Sequence, residues 1–478
     1  MNPLSSFLLF WSSLFLGCLF CAIALQHAGY ISDAVATLSG QAIAAAQGGS
    51  SFSGLLTAYP PLPRLLTYVV ALMEPRFPAL VAGALLLSLL GSLLYQQMAG
   101  KEDDRFNHLS AAASALLLLA GPHSLLAMVE GPEAVLMALA IFVLGQGMFD
   151  LRSEASAVAA MKIALAMMLL VLSGPTGMIF AIACLPFLAL CLPGDLRRQR
   201  PDAIYLTFLF PALFGIGSFL YLRWLFGAND AATGISGAFQ TLSLTEPAKP
   251  STLAAALIAL AALGPPLAWK VLRSWRKPVL MEPLTGLILS VAAAAVLTFI
   301  FHTGRLPILM TASVLGVLAT CIARVSVGRW AMIAVLAIGT GTALGWIAFA
   351  GNVSGARGIS NVSSSQSAVA ELRPIAEALD SLDGVMLDGI SHPQILTFMS
   401  STNGLSLPGS TDFEIDLLRK AITAPFFAVP DPMHAAARQG RINRAFPEAF
   451  DHGLPGYERI YDENGWRIYA RVGQAGGW

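Results

Sequence analysis

Charged side chains are scarce in this sequence. Asp, Glu, Lys and Arg make up only 12% of its 478 residues, against 56% hydrophobic ones, and mean hydropathy is +0.69. A soluble protein of this length would need far more charge to cover its surface, so a purely water-soluble molecule is excluded. A disulfide framework is lacking too. Cys18, Cys21, Cys184, Cys191 and Cys321 all fall inside or at the ends of apolar runs, and the polar C-terminal segment has none. Cys18 and Cys21 have CxxC spacing, yet without His or acid beside them in an apolar helix they read as small packing residues. The amino terminus has no basic side chain, and its apolar run is longer than a signal-peptide core. It reads as a retained first helix.

What the chain does have is apolar length. A bilayer core about 30 Å thick needs roughly 20 apolar residues per helix. Runs such as AAASALLLLAGPHSLLAMV and LTGLILSVAAAAVLTFIF meet that repeatedly. The sequence predicts eleven spans, near 5–27, 78–98, 109–127, 132–149, 156–173, 175–193, 203–226, 251–269, 283–301, 306–323 and 328–350. Alternate loops collect the positive charge: Lys101 and Arg105, Arg152, Arg197 with Arg198 and Arg200, Lys270 with Arg273, Arg276 and Lys277, then Arg324 and Arg329. The opposite loops hold little beyond Arg64, Arg76, Lys249 and Arg305. The positive-inside rule puts the first set in the cytoplasm, with the amino terminus inside and the C-terminal domain outside. The expected address is the plasma (inner) membrane. Lys162, in AVAAMKIALAMML, lies near the cytoplasmic end of its span and is expected to snorkel.

Three regions follow: a membrane domain over 1–350, a Gly/Ser/Asn-rich linker over 351–367, and a globular extracytoplasmic domain over 368–478. Within the first, the loop over 28–77 is long for a link between spans. A helix over 32–47 begins at Ser32 or Asp33, and Ile31, Val35, Leu38, Ile43 and Ala46 offer an apolar side to lay along the membrane. Tyr59-Pro60-Pro61-Leu62-Pro63 stiffens the chain, and 65–73 forms a second short helix at the bilayer surface.

Polar groups gather on the outer side. Asp33 stands just past the first span, as a helix-end carboxylate or as a general base facing a cavity. Glu130 and Glu133 flank Gly131-Pro132, with His123 on the approach. His302 and Arg305 bracket the turn in FHTGRLP, and Arg223 lies near the outer end of its span. Such cations suit a phosphate leaving group; Arg305 also suits an interfacial anchor. Tyr59 and Glu133 are candidates for positioning the acceptor or the loop.

In the C-terminal domain, AVAELRPIAEALDSL has helical periodicity, GVMLDGI and ITAPFFAVP read as strands, HPQILTFMSSTNG opens a helix, and 466–471 is a strand after an Asp462–Gly465 turn. This makes a small α/β or α+β domain. Asp388, His392, Asp431 and His434 match no strong zinc spacing, and no metal site is expected there.

The combination resembles the membrane-embedded glycosyltransferases of the GT-C fold, especially the branch of dolichyl-phosphate-mannose protein mannosyltransferases and bacterial lipid A aminoarabinose transferases. Asp33 after the first span carries the resemblance, with Ala58-Tyr59-Pro60-Pro61-Leu62 before the second span, Glu130 at the third-to-fourth turn, and the closing GYERIYDENGWRIYARV. It implies a polytopic helical GT-C-like fold and a sugar donor on polyprenyl phosphate. It also implies Asp33 as catalytic base and Glu130 as a second site carboxylate, with Arg305, His302 and Arg223 receiving the donor phosphate. Many relatives have two adjacent acids where this chain has Ser32-Asp33-Ala34, which argues against a bound divalent metal. No cofactor is expected. The implied partners are the lipid-linked sugar, an envelope glycan, lipid or protein acceptor, membrane lipids and envelope-assembly proteins, but no nucleic acid. Competing expectations are a noncatalytic subunit of envelope polysaccharide assembly or export, a transporter, and a receptor.

Overall fold

A computed structural model describes residues 3–27, 32–48, 52–73, 76–99, 105–193, 201–226, 278–300, 306–324, 372–389, 392–408, 410–433 and 440–473, with a few isolated positions besides. Its helices, in chain order, are α1 (Pro3–His27), α2 (Asp33–Ala46), α3 (Phe52–Thr57), α4 (Pro61–Ala71), α5 (Pro78–Ala99), α6 (Arg105–Leu119), α7 (Pro122–Glu130), α8 (Pro132–Glu154), α9 (Ala157–Ser173), α10 (Pro175–Cys184), α11 (Pro201–Leu225), α12 (Pro278–Ile300) and α13 (Leu306–Arg324). A 3-10 turn, Leu185–Cys191, extends α10. Beyond them come α14 (Leu372–Asp380), α15 (Gln394–Phe398), α16 (Thr411–Arg419), α17 (Arg441–Ala445) and α18 (Ala449–His452). The five strands are β1 (Val385–Leu387), β2 (Leu405–Ser406), β3 (Phe426–Pro430), β4 (Tyr457–Glu463) and β5 (Trp466–Arg471).

The chain is a helical membrane protein with a small sheet at its carboxyl end. Among the described residues, five helices are long and apolar enough to cross a bilayer: α1, α5, α8, α11 and α12. The bent pair α6–α7 makes a sixth if it is one span. Its 55° bend falls at Gly121-Pro122, where proline has no amide to donate. The Ser124 hydroxyl donates to the Leu118 carbonyl at 2.7 Å and satisfies a group that the break would otherwise strand. The expected spans 156–173, 175–193 and 306–323 are shorter apolar helices. Those near 251–269 and 328–350 lie outside the described residues, except for helical positions 337–339 and 341.

Two compact units emerge. The first comprises Met1–Ala28, Thr57–Pro63 and Ala82–Val362. Helix α8 is its axis, buried almost throughout, as an all-round apolar sequence dictates. Small residues let its neighbours approach. A methyl on Gly145 would come within 2.6 Å of the Thr320 side chain, and one on Gly316 within 2.7 Å of the Ala138 carbonyl. At the end of α8, Asp150 accepts from Lys162 at 2.7 Å and pairs with Arg324, which also donates to the Gln146 side chain at 2.6 Å. Lys162, on α9, therefore pairs with a carboxylate on the preceding helix, where the sequence alone pointed to snorkelling. Arg152 pairs with Glu282 at 2.6 Å.

The second unit comprises Gly29–Leu56, Arg64–Val81 and Ser363–Trp478. Its mixed sheet has the order β2-β1-β3-β5-β4, parallel among β2, β1 and β3 and antiparallel across β3-β5-β4. Alternation along the strands sends Val385, Leu387, Ala428 and Ile468 to one face and Met386, Phe427, Val429 and Tyr469 to the other. Helices α14 and α15 cover the first face, and α16, α17 and α18 cover the second. Phe413 and Phe427 are fully buried, a contribution of roughly 2–3 kcal/mol each. The β4–β5 hairpin turns on Asn464-Gly465, both at positive φ, the two-residue geometry that matches strand twist.

Helix α2 departs from its expected setting. It does not offer one apolar side to lipid. Val35, Ala36, Leu38, Ala42, Ile43, Ala44 and Ala45 are all buried, and Ala44 joins the core of the α/β body beside Leu396. The contact is close because Gly40 has no side chain: a Cβ there would lie 1.7 Å from the Pro393 carbonyl oxygen. Thr397 Oγ1 donates to the Ala36 carbonyl at 2.7 Å, and the Thr402 amide and hydroxyl both donate to Gln47 Oε1 at 2.7 Å. The first-loop helix is thus an element of the C-terminal domain. Helix α4 begins at Pro61, earlier than the expected 65, because proline is pre-set for the first helical position.

Candidate functional site

Helix ends position the candidate residues. Helix α7 stops at Glu130 and α8 starts at Pro132, with Gly131 between them at φ 94°, which a side chain would resist. That turn puts Glu133 in the first turn of α8, buried. Its carboxylate packs on Gly174, the residue that joins α9 to α10. A Cβ on Gly174 would meet Glu133 Oε1 at 2.2 Å, so the glycine makes the room that the carboxylate fills. Glu133 is therefore held at the N-terminal ends of two helices, where negative charge is favoured.

A second group reaches the same turn of α9. The buried Tyr59 hydroxyl donates to the Val171 carbonyl at 2.6 Å, and its ring lies 5.7 Å from that of Phe219 on α11. Arg223, one turn along α11, is buried, donates through Nη1 to the Thr57 carbonyl, and lies 6.0 Å from the same Phe219 ring. The Thr57–Tyr59 segment is thereby held by α9 on one side and α11 on the other. The bond seen for Arg223 is one of loop-holding. Replacing Tyr59 by Phe keeps the ring contact and leaves the Val171 carbonyl without this donor. The expected cost is about 1 kcal/mol, read as a small drop in melting temperature of the detergent-purified chain.

In this unit, then, Tyr59, Glu133 and Arg223 converge on the last turn of α9 and the facing end of α11, with the half-buried Glu130 across the Gly131 turn. A carboxylate, a phenol and a guanidinium thus lie in one buried polar region of this unit. Asp33 belongs to the other unit. It is the first residue of α2, and the cap position belongs to Ser32, whose hydroxyl accepts from the Val35 amide at 3.2 Å. His302 and Arg305 lie outside the described residues, as does His434.

In the C-terminal domain, Asp388 accepts from the Arg441 amide and is buried, His392 meets the Trp466 ring edge-on at 5.0 Å, and Asp431 accepts from the Met433 amide at 2.7 Å. These contacts hold turns and α17. Sequence reasoning missed Phe219, Gly174, Gln47 and Thr397. Only Gly174 carried a local signal, its Gly-Pro dipeptide. In comparisons with known proteins, no protein-family model matches this chain and no curated protein matches it.

Proposed function

We propose that this chain is an inverting glycosyltransferase of eleven-span, GT-C-like architecture, moving a sugar from polyprenyl phosphate to an envelope glycan, lipid or protein at the extracytoplasmic face of the plasma membrane. The observation that carries the reading is the incorporation of α2 into the α/β body. The helix that opens on Asp33 is fixed there by the Gly40–Pro393 contact and the Thr397 and Gln47 hydrogen bonds. Reactive groups perform best on such rigid elements. The Glu133, Tyr59 and Arg223 cluster adds polar groups, buried in a chain that is otherwise short of them.

In the proposed reaction Asp33 takes the proton of an acceptor hydroxyl. The hydroxyl oxygen forms its bond to the anomeric carbon from the face opposite the phosphate, and the bond from that carbon to the phosphate oxygen breaks. Polyprenyl phosphate leaves with the electron pair, its charge offset by Arg305 and His302. Arg223 serves by holding Thr57, with Tyr59 and Glu133 positioning the first loop and the acceptor, and Glu130 as a further carboxylate.

One observation favours a noncatalytic assembly subunit instead: Arg223 is engaged with first-loop backbone. Comparing envelope glycans and glycolipids by mass between cells with and without the gene separates the two. Loss of one defined sugar from an otherwise intact acceptor supports transfer. Loss of whole polymers, with each sugar linkage still made, supports assembly and sinks the transferase reading.

A further inference from the structure

Charge at the far end of α8 does not balance. Asp150 accepts from Lys162 of α9 at 2.7 Å and pairs with Arg324 of α13, so two cations share one carboxylate. Arg152 adds nothing to the sum, because Glu282 neutralises it at 2.6 Å. Glu154 and Asp202, at neighbouring helix ends, are exposed and screened by water. One net positive charge is left in a half-buried setting, where charge is unfavourable unless compensated. Hydrogen-bond donors are in excess as well. Arg324 uses Nε on Gln146 Oε1 at 2.6 Å and Nη2 on the Gln146 carbonyl and Asp150, which leaves Nη1 without an acceptor among the described residues. Lys162 uses one of its three hydrogens on Asp150. Gln146 is 2% exposed, and its Nε2, on the same amide that Arg324 holds, is buried with no acceptor. Buried polar groups are as a rule hydrogen-bonded, so donors converging from three helices call for an acceptor-rich anion.

We propose that this end of α8, α9 and α13 is a phosphate site for the headgroup of an acidic phospholipid. Phosphate supplies what the cluster is short of: negative charge and several acceptor oxygens on one small group. The border of the site points to lipid as its source. The Lys162 and Arg324 side chains are 37% and 18% exposed, so the cations can be reached from outside. Val158, Met161 and Leu165 flank Lys162 on α9 and are exposed too, on a unit whose helices are long and apolar enough to cross a bilayer. They offer acyl chains a surface directly beside the charge, and basic sites between membrane helices bind anionic headgroups. Asp150 holds both cations in place beforehand, so little side-chain freedom is lost when the headgroup docks. The site involves no reaction and stands independently of sugar transfer.

The test titrates the full chain, purified in detergent, with phosphatidylglycerol, with phosphatidylcholine of the same acyl chains, and with inorganic phosphate, and counts bound molecules by native mass spectrometry. Phosphatidylglycerol should bind at least about fivefold more tightly than phosphatidylcholine, and added salt should shrink the difference. Two variants should move in opposite directions. Lys162→Gln removes the excess charge and should weaken phosphatidylglycerol about fivefold, whereas Asp150→Asn adds to it and should tighten binding by a similar factor. A merely structural ion pair would lose stability in both and gain affinity in neither. Lys162→Arg should keep the binding, and Lys420→Gln, which removes an exposed charge from the α/β domain, should leave it unchanged. Equal affinity for the two lipids in the unsubstituted chain would overturn the proposal with no variant needed. An undiminished lipid preference in Lys162→Gln, shown to be folded by its melting curve, would overturn it as well. Uptake of inorganic phosphate in place of phosphatidylglycerol would overturn lipid as the source.

Discussion

Asp33→Asn should abolish sugar transfer while leaving the protein made, inserted and folded. The substitution keeps the size and shape of the side chain and removes the basic oxygen. A general base contributes on the order of 10²–10⁴-fold to rate, so the product should drop below detection in envelope mass spectra. The helix start keeps its cap. Ser32 supplies the cap bond of α2, and the charge–dipole interaction given up at the first helical position is worth about 0.5 kcal/mol. A melting curve superimposable on that of the unsubstituted chain, together with absent product, is the expected pair of results. Normal product from the same variant would remove Asp33 from the chemistry. The transferase reading would then have to rest on Glu130 or Glu133.

Gly40→Ala should destabilise the C-terminal domain, against the usual direction of such a change. Alanine is the better helix former by about 1 kcal/mol in a helix interior. Here the added carbon would lie 1.7 Å from the Pro393 carbonyl oxygen and 2.6 Å from its carbon. Backbone cannot swing aside as a long side chain can, so α2 must shift or detach. Overpacking of this severity costs about 3 kcal/mol, which outweighs the gain in propensity. The measurement is limited proteolysis of the purified full chain, where Gly40→Ala should expose the α/β domain to cleavage. Gly17→Ala in α1 is the control, since nothing lies within 4 Å of a Cβ there, and it should leave proteolysis unchanged. Equal protection in both variants would mean that the α2 contact is dispensable.

Local sequence carried the apolar helices and part of the sheet. Phe426–Pro430 and Trp466–Arg471 read as strands because both are buried in the sheet interior and rich in apolar and aromatic residues. Tyr457–Glu463, which pairs with Trp466–Arg471, did not, because as the edge strand it is loaded with Glu458, Arg459, Asp462 and Glu463, charges that discourage pairing with another chain. Thr411–Arg419 was missed for a related reason: its polar residues hide the buried Phe413. The setting of α2 was illegible in principle. Its alanines fit a membrane surface and a protein core equally well, and the residues that decide between them, Pro393, Thr397 and Thr402, lie more than 300 positions away. In the same way the Glu133–Gly174 contact showed in sequence only as a Gly-Pro dipeptide.

The insertion of α2 into a distant domain also sets a clock during synthesis. About 325 residues separate the end of α2 from the start of α14, and ribosomes add roughly 5–20 residues per second. A finished, alanine-rich helix must therefore remain for roughly 15–65 seconds without the surface that will cover it, while the rest of the membrane body is threaded into place. Its low charge lets it shelter against lipid in that interval. The apolar character that suggested a surface helix is then also what a nascent segment needs while it waits.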